Sequence, residues 1–109
     1  MSKVSLANVA ADASERELQR AVVDYARRHQ WRTFQFPNAR AKSEAGWPDL
    51  IAIRGDDLLA VELKSRVGRI RPAQSEVMAL LRGVRNLEAM IIRPADVDVV
   101  AAVLSAEGV

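Results

Sequence analysis

The chain contains no cysteine, which excludes a disulfide framework, a zinc site built on thiolates and an iron–sulfur cluster. It has one histidine, His29, so any metal must sit on oxygen ligands or on that imidazole. Long apolar runs are missing as well. None approaches the roughly 20 residues that a membrane span needs, and the N-terminus lacks the apolar core of a secretory leader. A cytoplasmic protein with no membrane partner is the expectation. No internal repeat, low-complexity tract or linker divides the 109 residues, and one domain is expected.

What is present is globular in composition: half the residues are hydrophobic and 28% are charged. A domain this small has a thin core, so contacts with a partner or with a second copy would add to its stability. Net charge is only +2, and the distribution of charge says more than its total. Lys64, Arg66, Arg69 and Arg71 stand in a stretch without an acidic residue, and Arg27, Arg28, Arg32, Arg40 and Lys42 make a second basic group. Of the 16 cationic residues 13 are arginine, the side chain that pairs bidentately with phosphate. Alone, such groups are solvated faces. They become a nucleic-acid surface only if they flank a site.

Residues 1–13 are weakly patterned and are set apart as a loose N-terminal segment, leaving 14–109 as the domain. Ser14 can cap a helix opening with Glu15, Arg16 and Glu17, where acids favour the helix dipole. Leu18, Val22, Tyr25 or Ala26, and His29 follow at helical spacing to about Gln30. Trp31 to Phe36 reads as a strand, Pro37 to Gly46 as a polar, basic loop, and Asp49 to Arg54 as a second strand. Gly55-Asp56-Asp57 is a turn, and Leu58 to Ser65 is the returning strand. Apolar residues at alternate and intervening positions (Leu50, Ile51, Ile53; Leu59, Val61, Leu63) suit central strands covered on both faces. Pro72 opens a helix to about Val84 with Val77, Met78, Leu81 and Val84 as its buried stripe. Glu88 to Arg93 is another strand, and Val97, Val100, Ala101 and Leu104 mark a last helix. The order α-β-β-β-α-β-α implies an α/β fold with a mixed central sheet flanked by helices.

Glu62 and Lys64 interrupt the apolar run of the returning strand. A buried charge without a partner costs several kcal/mol, so their presence needs a reason. Two apart on a strand, they share a face. If Arg54 or Gly55 pairs with Leu58 or a residue beside it, Asp49 falls beside Glu62, Leu63 or Lys64. A register setting Asp49 opposite Glu62 or Lys64 is what the chemistry requires, and a slip of one residue breaks it. Two crowded carboxylates repel unless a cation lies between them, and a hard ion held by carboxylates and water fits Mg²⁺. Such an ion polarises a phosphoryl oxygen and acidifies water for in-line attack. The bland alternative is a buried salt bridge from Lys64 to Asp49 or Glu62 that fixes the hairpin.

Gly46-Trp47-Pro48-Asp49 followed by Glu62-Leu63-Lys64 resembles the PD-(D/E)XK nuclease superfamily, and most closely the virus-type replication-repair nuclease (VRR-NUC) family. The resemblance runs from about Ser14 to Arg93. It includes a Glu-bearing first helix, the Gly-x-Pro-Asp-Leu strand start, the Val-Glu-Leu-Lys strand and a Pro-x-Gln helix opening, Pro72-Ala73-Gln74. It implies a restriction-endonuclease-like fold and cleavage of DNA with Mg²⁺, or Mn²⁺ in its place. By the same resemblance Asp49 and Glu62 bind metal, the Leu63 carbonyl adds a ligand, Lys64 assists the attacking water, and Gln74 orients groups near the site. The Glu15-Arg16-Glu17-Leu18 string also resembles the first helix of archaeal Holliday-junction resolvases, where the first acid is the functional one. Glu15, on the Leu18–Gln19–Val22 face, is therefore the expected acid, and Glu17 falls on the solvent side.

His29 reads as a helix-end residue near the negative end of the dipole. Trp31 and Trp47 read as packing groups, with Trp47 the better candidate for stacking on a base. Arg66, Arg69 and Arg71 follow Lys64, and Arg40 and Lys42 precede Asp49. These five are expected to hold DNA phosphates on either side of the scissile bond without reading sequence. The resemblance further implies structured or branched DNA, of the Holliday-junction kind, as substrate in replication, recombination or repair, and a homodimer as the working form. The rival expectations are a DNA-binding module without catalysis and a structural subunit of a repair or packaging complex.

Overall fold

Ser14 starts the first helix as its side chain predicts. In the computed structural model, which describes residues 6–36 and 45–107, its hydroxyl accepts from the Glu17 N–H at 3.1 Å. Its own N–H donates to Glu17 Oε1 at 3.0 Å. This capping box satisfies two backbone donors at once. Helix α1 (Glu15–Arg28) buries Leu18, Ala21, Val22, Val23 and Ala26 along one face. It ends at His29, whose ring lies against Tyr25 at 4.6 Å, and Gln30 turns the chain with φ 72°. Ahead of α1, a short 3₁₀ turn at Leu6–Asn8 buries Leu6.

Strand β1 (Arg32–Gln35) pairs antiparallel with β2 (Leu50–Arg54), and β2 pairs antiparallel with β3 (Asp57–Leu63). The β2–β3 turn is tighter than the three-residue turn expected from the sequence. Arg54 pairs with Asp57, so only Gly55 and Asp56 lie outside the ladder. Gly55 takes φ 60°, which suits the two-residue hairpin that matches strand twist. Helix α2 (Pro72–Arg82) then crosses over to β4 (Leu87–Ile92), which runs parallel to β3. A 3₁₀ turn at Pro94–Asp96 leads into α3 (Val97–Ser105). The four-stranded sheet has the order β1-β2-β3-β4. The fold is the α/β, restriction-endonuclease-like arrangement that the sequence implies.

Alternation along the strands divides the core. Leu50, Ala52, Leu59, Val61, Leu63 and Ile92 face α1 and α3, where they meet Leu18, Val22, Val100 and Leu104. Ile51, Ala60 and Ala89 face α2 and meet Met78. Each fully buried Leu, Val or Ile contributes about 1.5–3 kcal/mol, and the first layer holds most of them. Helix α2 packs over β4 and leaves part of the other side open. Ile53 is 37% exposed, which corrects the expectation that both central strands are covered throughout. Val84 is also corrected: it is 50% exposed, because α2 ends at Arg82 and Gly83 caps it. At the far end of the hairpin the Arg54 guanidinium stacks on Trp31 at 4.5 Å and donates to the carbonyls of His29, Leu104 and Ala106. Trp31 is a packing residue, with its indole N–H on the Leu104 carbonyl at 2.8 Å. Among the described residues no helix is long and apolar enough to cross a membrane.

The cap has a measurable consequence. The Ser14 backbone N–H, helped by its hydroxyl, holds the Glu17 carboxyl below its ordinary value. Ser14→Ala should cost about 1 kcal/mol at neutral pH, read as a lower urea midpoint. Because the folded pKa of Glu17 lies below the unfolded one, its contribution is full above the unfolded value. It fades as pH falls through the folded one, so wild type and Glu17→Gln should converge in acid.

Candidate active site

The β2–β3 register decides where the charged residues meet. Leu50 pairs with Val61, so the next rung outward sets Asp49 against Glu62. This is the alignment the chemistry requires. Alternation puts Glu62 on the α2 face with Ala60, and the Asp49 side chain also lines the groove on the α1 side. Asp49 is the residue just before β2, and its backbone still belongs to the sheet, since its carbonyl accepts from the Phe36 N–H at 2.9 Å. Its side chain takes over where the β2–β3 ladder stops: Oδ2 accepts from the Leu63 N–H at 3.0 Å. The Asp49 carboxylate is thus anchored to the Glu62–Leu63 peptide.

Gly46 explains why the loop before Asp49 lies where it does. It has φ 86°, and a Cβ there would fall 2.2 Å from the Ala73 carbonyl oxygen. Only glycine allows that backbone to press on the first turn of α2. Pro48 is fully buried behind it. Trp47 is half-buried and edge-on to Phe36 at 6.2 Å. The first turn of α2 in turn carries Gln74, whose amide is fixed at both ends. Its Oε1 accepts from the Arg71 N–H at 2.8 Å, and its Nε2 donates to Glu62 Oε2 at 2.8 Å.

Glu62 and Lys64 are 2% and 6% exposed, and they are the two buried charged residues among those described. Lys64 Nζ lies 3.5 Å from Glu62 Oε2, so the ion pair considered from sequence forms with Glu62. The backbone of Lys64 is held by its N–H on the Ile92 carbonyl at 3.0 Å. After it the chain turns over the lysine stem. The Gly68 N–H returns to the Ser65 carbonyl at 3.2 Å, and the Arg93 guanidinium donates to the same carbonyl at 2.7 Å.

Glu15 reaches this end of the sheet from the opposite layer. A methyl group on Gly68 would stand 3.2 Å from Glu15 Oε2, 3.2 Å from Ser65 Oγ and 3.4 Å from Lys64 Cδ. The Glu15 carboxylate and the lysine stem therefore both border Gly68, whereas Glu17 is committed to the cap. An open groove of about 550 Å³ joins Glu15 to Asp49 and Leu63. Of the basic residues assigned from sequence, Arg66, Arg69 and Arg71 are exposed on the loop that follows Lys64. Arg40 and Lys42 fall outside the described residues. The second basic group separates in space: Arg28 binds Asp24 at 2.7 Å, Arg32 lies over Phe34, and Arg27 faces the groove. The sequence reading did not assign Arg16, Arg20 or Arg27 to the site. Their spacing along α1 was the available signal.

The donor set fits a hard divalent cation. Among the described residues no three of His, Cys, Asp and Glu gather closely enough to chelate an ion by themselves. Two carboxylates, the intervening peptide carbonyl and water are the composition suited to Mg²⁺, which keeps several waters and uses one or two protein carboxylates.

Gln74 couples this site to the start of α2, which gives a direct test. Gln74→Ala removes two hydrogen bonds and takes one donor from a buried carboxylate. It should destabilise the protein by about 2 kcal/mol, measured by urea unfolding.

A model of the archaeal Holliday junction resolvase (hjc) family matches residues 10–95. No curated protein matches the chain. The family match covers most of the chain and takes in Glu15, Asp49, Glu62, Lys64 and Gln74. It falls on the second of the two likenesses noted in the sequence, the resolvases. The chain belongs to the archaeal Holliday junction resolvase family, within the PD-(D/E)XK nuclease superfamily.

Proposed function

We propose that the protein is a divalent-metal-dependent endonuclease that hydrolyses phosphodiester bonds in branched DNA, with four-way junctions as its substrate. The observation that carries this reading is the meeting at one end of the sheet of Asp49, bonded to the Leu63 N–H, with the Glu62–Lys64 pair. Two of the three are buried there. Membership of the resolvase family supports the substrate class. The VRR-NUC likeness, carried by Gly46-Trp47-Pro48-Asp49-Leu50 and Val61-Glu62-Leu63-Lys64, supports the same chemistry on DNA.

In this reading Asp49, Glu62 and the Leu63 carbonyl hold Mg²⁺, and Mn²⁺ substitutes for it. The ion, when bound, supplies positive charge to the phosphoryl oxygens and acidity to the attacking water. Lys64 places its ammonium where it can hold that water or neutralise the charge that grows on the phosphate. Gln74 keeps Glu62 in one orientation through the Nε2–Oε2 bond. Glu15, which lines the same groove as Asp49, orients a water at the site. Arg66, Arg69 and Arg71, with Arg40 and Lys42, hold phosphates and leave base sequence unread. A junction needs two symmetric cuts and one chain carries one such site, so a homodimer with a two-fold axis is the working form. Its place is the cytoplasm, in replication, recombination or repair.

One observation favours a second reading. The Lys64–Glu62 ion pair is what a purely structural use of these residues would need, and a DNA-binding module without catalysis would retain it. Labelled linear, flap and four-way-junction DNA, incubated with and without Mg²⁺, separates the two. Cleavage of the junction that stops without metal supports the enzyme. Binding without cleavage of any substrate supports the module. Lys64→Met should lower the single-turnover rate by about 10²–10⁴-fold. Asp49→Asn and Glu62→Gln each remove several kcal/mol of charge stabilisation, and each should cost about a thousandfold.

Metal binding has its own readout without DNA. Saturating Mg²⁺ at about ten times its dissociation constant stabilises the folded state by about 1.4 kcal/mol, a rise in Tm of several degrees for a domain of this size. Glu62→Gln should abolish that rise. An equal rise in the variant would contradict the assignment.

A further inference from the structure

Helix α1 carries a row of arginines that the active-site chemistry does not use. Arg16, Arg20 and Arg27 are exposed, and their spacing of four and seven residues sets them along one side of the helix. That side is one wall of the groove that ends at Glu15 and Asp49. The opposite wall is the edge of the sheet at β1, where Gln35 lines the groove and Thr33 bonds Arg27.

Two bonds tie the walls together. Arg27 Nε donates to Thr33 Oγ1 at 3.1 Å, and Gln19 Nε2 donates to Gln35 Oε1 at 3.0 Å. The bond to Thr33 fixes the Arg27 guanidinium in advance, leaving its remaining N–H groups for another acceptor. Acidic charge along the groove is limited. Glu15 and Asp49 stand together at the active-site end, and Asp24 is met by Arg28 at 2.7 Å. Away from that end the groove is polar and carries Arg20 and Arg27, and it is continuous with the site where a phosphodiester would be cut.

We infer that this groove is a phosphate track. One DNA strand leaving the scissile bond lies over the bridged seam of α1 and β1, with its backbone against Arg20 and Arg27. The distance from Arg16 to Arg27 along the helix is about 16 Å, the axial length of about five nucleotides of one strand. The loop arginines 66, 69 and 71 follow β3, on the other side of the site. The two basic surfaces thus receive different segments of the substrate. This inference rests on the reading of the protein as a junction-cutting nuclease for the identity of its partner. The track itself is a binding surface and is tested by binding.

The test measures anisotropy of a labelled four-way junction mixed with the full-length protein in EDTA, across a salt titration. Each phosphate contact contributes about 0.9 to the slope of log affinity against log salt. Arg20→Gln with Arg27→Gln should lower that slope by about 2 and weaken binding by about tenfold or more. Arg20→Gln alone, which disturbs no wall bond, should lower it by about 1. Arg20→Lys with Arg27→Lys should restore most of the slope, because the charge returns.

Arg82→Gln with Arg85→Gln removes the same charge at the end of α2 away from Glu62 and should leave the slope unchanged. A slope that is the same in the Arg20/Arg27 variant as in wild type, or a loss matched by the Arg82/Arg85 variant, overturns the track. A wild-type protein that binds with the arginine-dependent slope yet cleaves no junction with Mg²⁺ keeps the track and sinks the nuclease reading. Cleavage with an unchanged slope does the reverse.

Discussion

The pairing of β2 with β3 is the constraint on which the rest depends. The two-residue turn at Gly55-Asp56 sets Arg54 against Asp57, and every rung above it is then fixed, through Leu50 and Val61. Alternation does two things from this register at once. It sends Leu50, Ala52, Leu59, Val61 and Leu63 to the layer of α1 and α3, and it sends Ile51, Ala60 and Glu62 to the other face. A shift by one residue would turn the acid into the leucine layer and the leucines away from α1 and α3. The hydrophobic core therefore guards the geometry of the polar site.

The polar end of the sheet is built by elements that approach from both faces. From the α2 side, Gly46 presses on Ala73, and Gln74 spans from the Arg71 N–H to Glu62. From the α1 side, Glu15 borders Gly68, as the stem of Lys64 does. Buried charge is tolerable here because each charged group has an assigned partner. Glu62 has an amide and an ammonium, and Asp49 has the Leu63 N–H. The same bonds that lower the cost of burial hold the carboxylates in fixed orientations, which a cation site and a phosphate site both require. At the other end, Arg54 joins the helix ends and Trp31, so the hairpin is fixed at its turn as well as at its open end.

Particular residues mark how far pattern reading reaches. Ser14 with Glu17, Pro72 at the start of α2, and the apolar alternation of β2 and β3 announce their elements, because each acts through neighbours in sequence. Val84 and Ile53 do not behave as their apolarity suggests. Val84 lies past the end of α2, and Ile53 lies where α2 has moved over to β4. Burial of a helix or strand residue depends on what packs against it, and that is decided by elements distant in sequence. The arginines illustrate the same point. Arg27, Arg28 and Arg32 form one basic group on paper, yet they take three different partners, Thr33, Asp24 and the face of Phe34.

The amino-acid order alone determined the element sequence, the hairpin, the family resemblance and the identity of the charged residues that interrupt a buried strand. These rest on local periodicity and on the cost of burying charge, which need no knowledge of distant contacts. Only the tertiary structure decided that Lys64 meets Glu62, that Glu15 shares a groove with Asp49, and that Gln74 binds Glu62. It also decided that α1 and the edge of β1 border a polar groove lined by Arg16, Arg20 and Arg27. Each of these depends on distances between segments that the chain folds together. Such distances are set by how the layers pack, and packing is a property of the whole molecule.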